Sequence, residues 1–186
     1  MPKYWLMKSE PDTFSIDDLE RVKVEPWTGV RSMFARFHMR AMSVGDEVLF
    51  YHSNALPSGV AGLARVVRTN VIDETQFDPA SKYFDEKATR EKPIWDCVDV
   101  EFVEKFPHYV PLPVIKAERA LADMVLLRIS RLSVTPVTPA QFRRIVAMGH
   151  GEAPAAKKPA ATKSPTKKAT RRSATKSSAG SSSRQR

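Results

Sequence analysis

After Gly149 the chain contains no Val, Ile, Leu, Met, Phe, Tyr or Trp. A segment with no apolar surface to bury cannot offset the entropy of ordering its own backbone. Whatever this chain folds into must therefore be built from residues 1–149. Residues 150–186 are expected to be a disordered tail of Lys, Ala, Pro, Ser and Thr, and Pro154, Pro159 and Pro165 further oppose a continuous helix there.

The same break divides the charge. Residues 1–150 carry 20 Lys+Arg against 20 Asp+Glu, whereas residues 151–186 carry ten against one, so the tail holds the whole net charge of +9. A neutral domain on a polycationic tether is a narrower object than a basic DNA-binding domain. Fixed positive charge gains most from a polyanion, because each phosphate neutralised releases condensed counterions. Lys157, Lys158, Lys163, Lys167, Lys168, Arg171, Arg172 and Lys176 are the candidate phosphate-binding residues. They carry no sequence preference, since nothing beside them can read base edges. The alternative is a solvated tail that binds nothing specific.

The first 149 residues are long enough for one domain with a real core. Val, Leu, Phe and Met recur there, broken by Pro and Gly at intervals that suit a mixed α/β fold. No apolar run approaches the roughly 18 residues of a membrane span, and Met1 leads directly into charged and aromatic sequence, so neither a span nor a secretory signal is expected. Cys97 is the single cysteine. It has no disulfide partner and no metal-ligand spacing, and its alternating apolar surroundings predict a buried core thiol in a reducing cytoplasm.

Tyr4-Trp5-Leu6-Met7 reads as a short buried strand closed by a Lys8-Ser9-Glu10-Pro11 loop. Ser15 with Asp18 three residues later is a capping-box pattern, which starts a short helix over residues 15–22. A second helix is predicted over residues 31–42. Phe34, Phe37, His38 and Ala41 share its apolar face, and Ser32, Arg36 and Arg40 line the opposite side. Strands follow over residues 47–52 and 59–72, where Gly62 signals a bulge or a close backbone approach. Val98, Val100 and Phe102 alternate with Asp99 and Glu101 in a further strand. Thr138-Pro139-Ala140-Gln141 combines an N-cap, an N1 proline and a capping box, opening a helix that stops at Gly149. Bulged strands with both faces apolar, plus short peripheral helices, predict a small curved sheet or barrel.

Catalytic and cofactor signatures are missing: no Gly-x-Gly-x-x-Gly, no Walker loop, no His-x-x-x-His and no Gly-x-Ser-x-Gly. Neither a cofactor nor a metal is expected. Ser53, His52 and Asp46 could be assembled into a hydrolytic set, but most chains of this length supply one. Trp27 is more telling. Between Pro26 and Thr28-Gly29 it reads as a loop indole, either tucked into the core or offered as a stacking surface for a ligand. In the second case it packs on one side only, and truncating it should cost little stability. Lys8-Ser9-Glu10 and Tyr51-His52-Ser53-Asn54 gather donors and acceptors at two strand ends, where ordinary turn chemistry is the alternative. Gln76-Phe77-Asp78-Pro79 and Tyr83-Phe84-Asp85 add aromatics beside acids.

Six segments in order strongly resemble the EVE domain family: residues 4–11 (YWLMKSEP), 27–31 (WTGVR), 44–46 (VGD), 49–54 (LFYHSN), 75–79 (TQFDP) and 130–134 (SRLSV). The resemblance spans residues 2–148 and leaves the tail out. It implies a PUA-like pseudo-barrel related to the YTH readers of methylated adenine in RNA. It also implies a non-enzymatic reader of modified bases, chiefly modified cytosine in DNA. By analogy Lys8, Ser9 and Glu10 would hold the base edge and Trp27 would be the main cage wall. Arg31, Tyr51, His52, Ser53, Asn54 and Phe77 match family motifs near the pocket. Ser32 and Phe37 depart from the family, which usually has Asn at the first of these positions and often at the second. Trp5 and Trp95 also match, as core residues.

The reading that results is an EVE domain over residues 1–149 that takes a modified base into an aromatic-lined pocket, with residues 150–186 supplying non-specific DNA affinity. Nucleic acid, DNA before RNA, is the expected partner, and a monomer is expected. Two rivals remain: a nucleoid-associated protein acting through its tail, and an enzyme acting on a modified nucleotide.

Overall fold

The computed structural model describes residues 1–152. The basic tail residues from Lys157 onward lie outside the described residues. Six strands form one mixed sheet: β1 (Tyr4–Ser9), β2 (Val24–Pro26), β3 (Glu47–His52), β4 (Gly59–Ile72), β5 (Asp96–Pro111) and β6 (Val134–Val137). Their order across the sheet is β2-β5-β4-β3-β1-β6. Five helices lie around it: α1 (Ile16–Val22), α2 (Met33–Arg40), α3 (Leu112–Ala117), α4 (Val125–Arg128) and α5 (Pro139–Gly149). None of the described helices is long and apolar enough to cross a membrane.

The long β4–β5 ribbon curves because its register shifts four times between Gly59 and Ile72, each shift adding local twist. Gly62 sits at one of them: a Cβ there would stand 2.2 Å from the Glu104 carbonyl oxygen. The close approach predicted from an isolated strand glycine is therefore present. Two apolar layers result. One gathers Trp5, Met7, Leu19, Trp27, Phe50 and Val100, and the other Leu6, Leu49, Leu63, Ile115, Phe142 and Ile145.

The predicted capping signals hold. Ser15 accepts from the Asp18 N–H and Thr138 from the Gln141 N–H, each inside a complete capping box. Cys97 is 2% exposed, and burial pushes its thiol up to about 12, so it is not a reactive thiolate. Trp5 and Trp95 are both buried; their indole N–H groups donate to Asp46 (2.9 Å) and Asp85 (2.7 Å).

Helix α2 departs from its prediction. Its buried residues are Ala35 and Met39, while Phe34 and Phe37 are 76% and 69% exposed. Arg36 and Arg40, expected to face solvent, turn instead toward Asp96 at 2.7 and 2.8 Å. Asp96, partly buried at the start of β5, is paired by both arginines, and a partly buried carboxylate favours the helix face that brings its cations to it.

Candidate functional site

Strands β1 and β3 are parallel neighbours, with Lys8 opposite Tyr51 and Ser9 opposite His52. Both therefore leave the sheet at the same end. There the Ser53 N–H donates to the Ser9 carbonyl at 2.8 Å, and the Asn54 side-chain amide donates to Glu10 Oε1 at 2.8 Å. Facing these two strand ends is the chain between β2 and α2. Residues 82–83 and 130–133 close the remaining sides, around a cavity of about 530 Å³. That lies within the range of small-ligand clefts, roughly 300–1,000 Å³.

Seven of the ten residues predicted for the domain line this cavity: Lys8, Ser9, Glu10, Trp27, Arg31, Ser53 and Asn54. Three do not. Tyr51 is 3% exposed in the second apolar layer, and burial raises its phenol. Strand alternation turns it away from the side that Phe50 occupies. His52 accepts the Ile16 N–H at Nε2 (3.1 Å), so its ring serves the start of α1. Burial lowers its pKa, with Lys105 acting the same way and Asp17 opposing. Phe77 lies under the Arg90 guanidinium, 5.0 Å from its ring centre, beside a separate shallow depression. The hydrolytic alternative also loses its geometry. Asp46 accepts from the Lys3 N–H and the Trp5 indole, while the Ser53 hydroxyl donates to Ser9 O.

Trp27 is less of a loop residue than its neighbours suggested. Its N–H donates to Val98 O at 2.8 Å, extending the β2–β5 pairing by one position. The indole is only 6% exposed and meets Phe50 edge-on at 5.3 Å between ring centres. Trp27 is thus at once a cavity wall and part of the core, and the expectation that its loss would cost little stability is overturned.

Arg31 holds the wall in place. Its guanidinium pairs with Asp73 (2.7 Å) and donates to Thr75 Oγ1 (3.0 Å) and, through Nε, to the Tyr83 carbonyl (2.8 Å). Asp73 also accepts the Gly29 N–H at 2.8 Å. Burial works to raise the Asp73 carboxyl, but Arg31, Thr75 and Gly29 together hold it below the usual carboxylate range. Gly29 has φ +81°, and a Cβ there would stand 2.5 Å from the Tyr83 ring. Only glycine combines that backbone with that neighbour.

Glu25 and Lys82 escaped the sequence reading, while Tyr83, Ser130 and Arg131 stood in noted segments without being assigned to the site. Glu25 lines the cavity two residues before Trp27, the spacing that puts side chains on one side of an extended chain. Burial raises its carboxyl and the nearby Asp99 adds to this. Lys82, Tyr83, Ser130 and Arg131 form rim and wall from distant loops. Lys8 Nζ donates to the Ser130 carbonyl at 2.6 Å, and burial lowers its pKa. The cavity thus presents one indole, carboxylates as acceptors and ammonium and hydroxyl groups as donors. Among the described residues no group of three or more His, Cys, Asp or Glu could hold a metal ion.

Compared with known proteins, residues 3–148 match the EVE domain family. Human thymocyte nuclear protein 1 is 36% identical over 174 residues, covering 82% of this chain and 76% of that protein. A hypothetical protein from Leishmania major, of known structure, aligns with a TM-score of 0.78 at 52% identity, covering 80% of this chain and 95% of that one. The crystal structure of human THYN1 in complex with 5-methylcytosine containing DNA aligns with a TM-score of 0.76 at 34% identity, covering 81% of this chain and 99% of that one.

Proposed function

The chain belongs to the EVE domain family, and from that premise we propose that it is a non-enzymatic reader that takes a modified cytosine from DNA into the cavity beside Trp27. The observation that carries this reading is the cavity itself, whose apolar wall is an indole and whose other walls offer both donors and acceptors. A base needs a π-surface and a hydrogen-bonded edge. The relative solved with 5-methylcytosine containing DNA supports cytosine as the base class.

In this reading the indole stacks on the extruded base. Glu10 and Glu25 are acceptors of the kind that suits an exocyclic amino group, while Lys8 suits the carbonyl edge; the Ser9 hydroxyl donates to the Phe14 carbonyl at 2.7 Å and so shapes the strand end beside it. Arg31 is a positioning residue, because its donors are engaged with Asp73, Thr75 and Tyr83. The cations from Lys157 to Lys176 supply sequence-independent affinity, holding the domain near its target while the pocket samples bases.

The decisive measurement is binding of the full chain to two duplexes that differ by one methyl group on one cytosine. Burying a methyl is worth about 0.8 kcal/mol, so the methylated duplex should bind roughly fourfold more tightly, or better. Equal affinities would refute the reading. Deleting residues 153–186 should lower affinity for both duplexes and flatten the dependence of log K on log salt. The ratio between the two duplexes should persist. An unchanged salt slope would remove the tail from the account.

A further inference from the structure

The inverted helix α2 leaves an apolar ridge that nothing in the domain covers. Met33, Phe34 and Phe37 are 60%, 76% and 69% exposed, and their spacing of three and four residues makes one contiguous patch. The arginines of the same helix cannot mask it. Arg36 is 13% exposed, bound to Asp96 and set over Trp95 at 5.8 Å, and Arg40 shares the same carboxylate. Three large apolar side chains kept in water together call for an occupant. Their position names one. Ser32, which caps α2 by accepting the Ala35 N–H, also lines the cavity, so the ridge starts one residue from the cavity wall.

We propose that Met33 and Phe34 form a wedge that enters the DNA stack at the vacancy left by the base taken into the cavity. This rests on the base-reading function proposed above. A duplex that surrenders a base to this cavity must lie across its rim, and Ser32, the N-cap of α2, is part of that rim. Extrusion costs a few kcal/mol of stacking and pairing. An apolar side chain in the gap recovers part of that stacking, and Phe and Met are among the residues that serve as such wedges. A single strand has no such gap, so the wedge favours duplex targets.

The test compares the full chain with Phe34→Ala and with Met33→Ala/Phe34→Ala, against a methylated duplex and the same methylated strand alone. Thermal unfolding should be nearly unchanged, as these side chains are exposed. Duplex affinity should fall about tenfold or more, the scale of one lost base–aromatic stack, while single-strand affinity changes less than about twofold. An equal loss on both substrates, or no loss on either, would overturn the wedge. So would a DNA-free wild-type dimer that the substitutions dissociate, which would make the ridge a contact between copies. If the wild-type chain ignores methylation, the base-reading function fails. If it discriminates and the substitutions leave duplex binding intact, the wedge alone fails.

Discussion

Trp27→Ala should unfold the domain at markedly lower temperature and remove the preference for a modified base. The indole is 6% exposed and packs edge-on against Phe50, so its truncation should cost about 3–5 kcal/mol of stability, the usual range for a buried aromatic. Base binding should weaken by a further 1–3 kcal/mol or so, the worth of one base–aromatic stack. Because the first effect could hide the second, Trp27→Phe and Trp27→Leu are the informative pair. Both retain apolar volume, but only phenylalanine keeps a π-face. Phenylalanine should preserve most of the methylation-dependent binding and leucine should lose it, at comparable unfolding temperatures. Equal binding by the two would mean that the indole fills the core and does not stack on a base.

Arg31→Ala should be nearly as damaging, through a different physics. Its partner Asp73 has a side chain only 2% exposed, and removing one member of a buried pair typically costs about 3–5 kcal/mol because the other charge is stranded. Arg31→Lys should rescue little, since one ammonium cannot span Asp73, Thr75 and the Tyr83 carbonyl in the geometry of a planar fork. Acid should reproduce part of the defect. The folded Asp73 carboxyl lies below its unfolded value, so its contribution is complete above the unfolded aspartate pKa of about 3.9. That contribution is lost as pH falls through the lower folded value. Unfolding temperature should therefore decline below about pH 4 in the wild type. Asp73→Asn should start lower and show a shallower decline. An acid limb identical in both proteins would place the sensitivity elsewhere.

What could be read from the sequence follows from how local its cause is. The capping boxes at Ser15 and Thr138 and the strands over residues 47–52 and 59–72 were legible, because a few neighbouring residues determine them. Strands β2 and β6 were not. Each is short, lies at an edge of the sheet and contains a proline, Pro26 or Pro136, and edge positions are where strands tolerate one. The face of α2 was misread because Asp96, distant in sequence, decides it. At the site, the strand-end motifs around Lys8 and Ser53 pointed to the right end of the sheet. Alternation then separates Tyr51 from it, a distinction that a run of polar residues does not reveal. Glu25 and Lys82 had no local signature at all, and Arg131 stood in a matched motif without being assigned to the site. Asp73, around which the wall is braced, reads in sequence as an ordinary residue after a strand.

The cavity also sets a condition on when the protein becomes competent. Lys8 bonds to Ser130 across 122 positions of sequence, and β1 pairs on its outer side with β6. No fragment lacking either end of the domain can close the wall. Contacts this far apart form late, after the local helices and the β4–β5 ribbon, because the loop they close is long. During synthesis at about 5–20 residues per second, β1 would wait roughly 6–25 seconds for β6 to be made. Throughout that interval its outer edge has no partner strand. A chain that ends before β6 therefore leaves both the cavity wall and the outer side of β1 incomplete, and the same stretch of residues 130–137 completes them together.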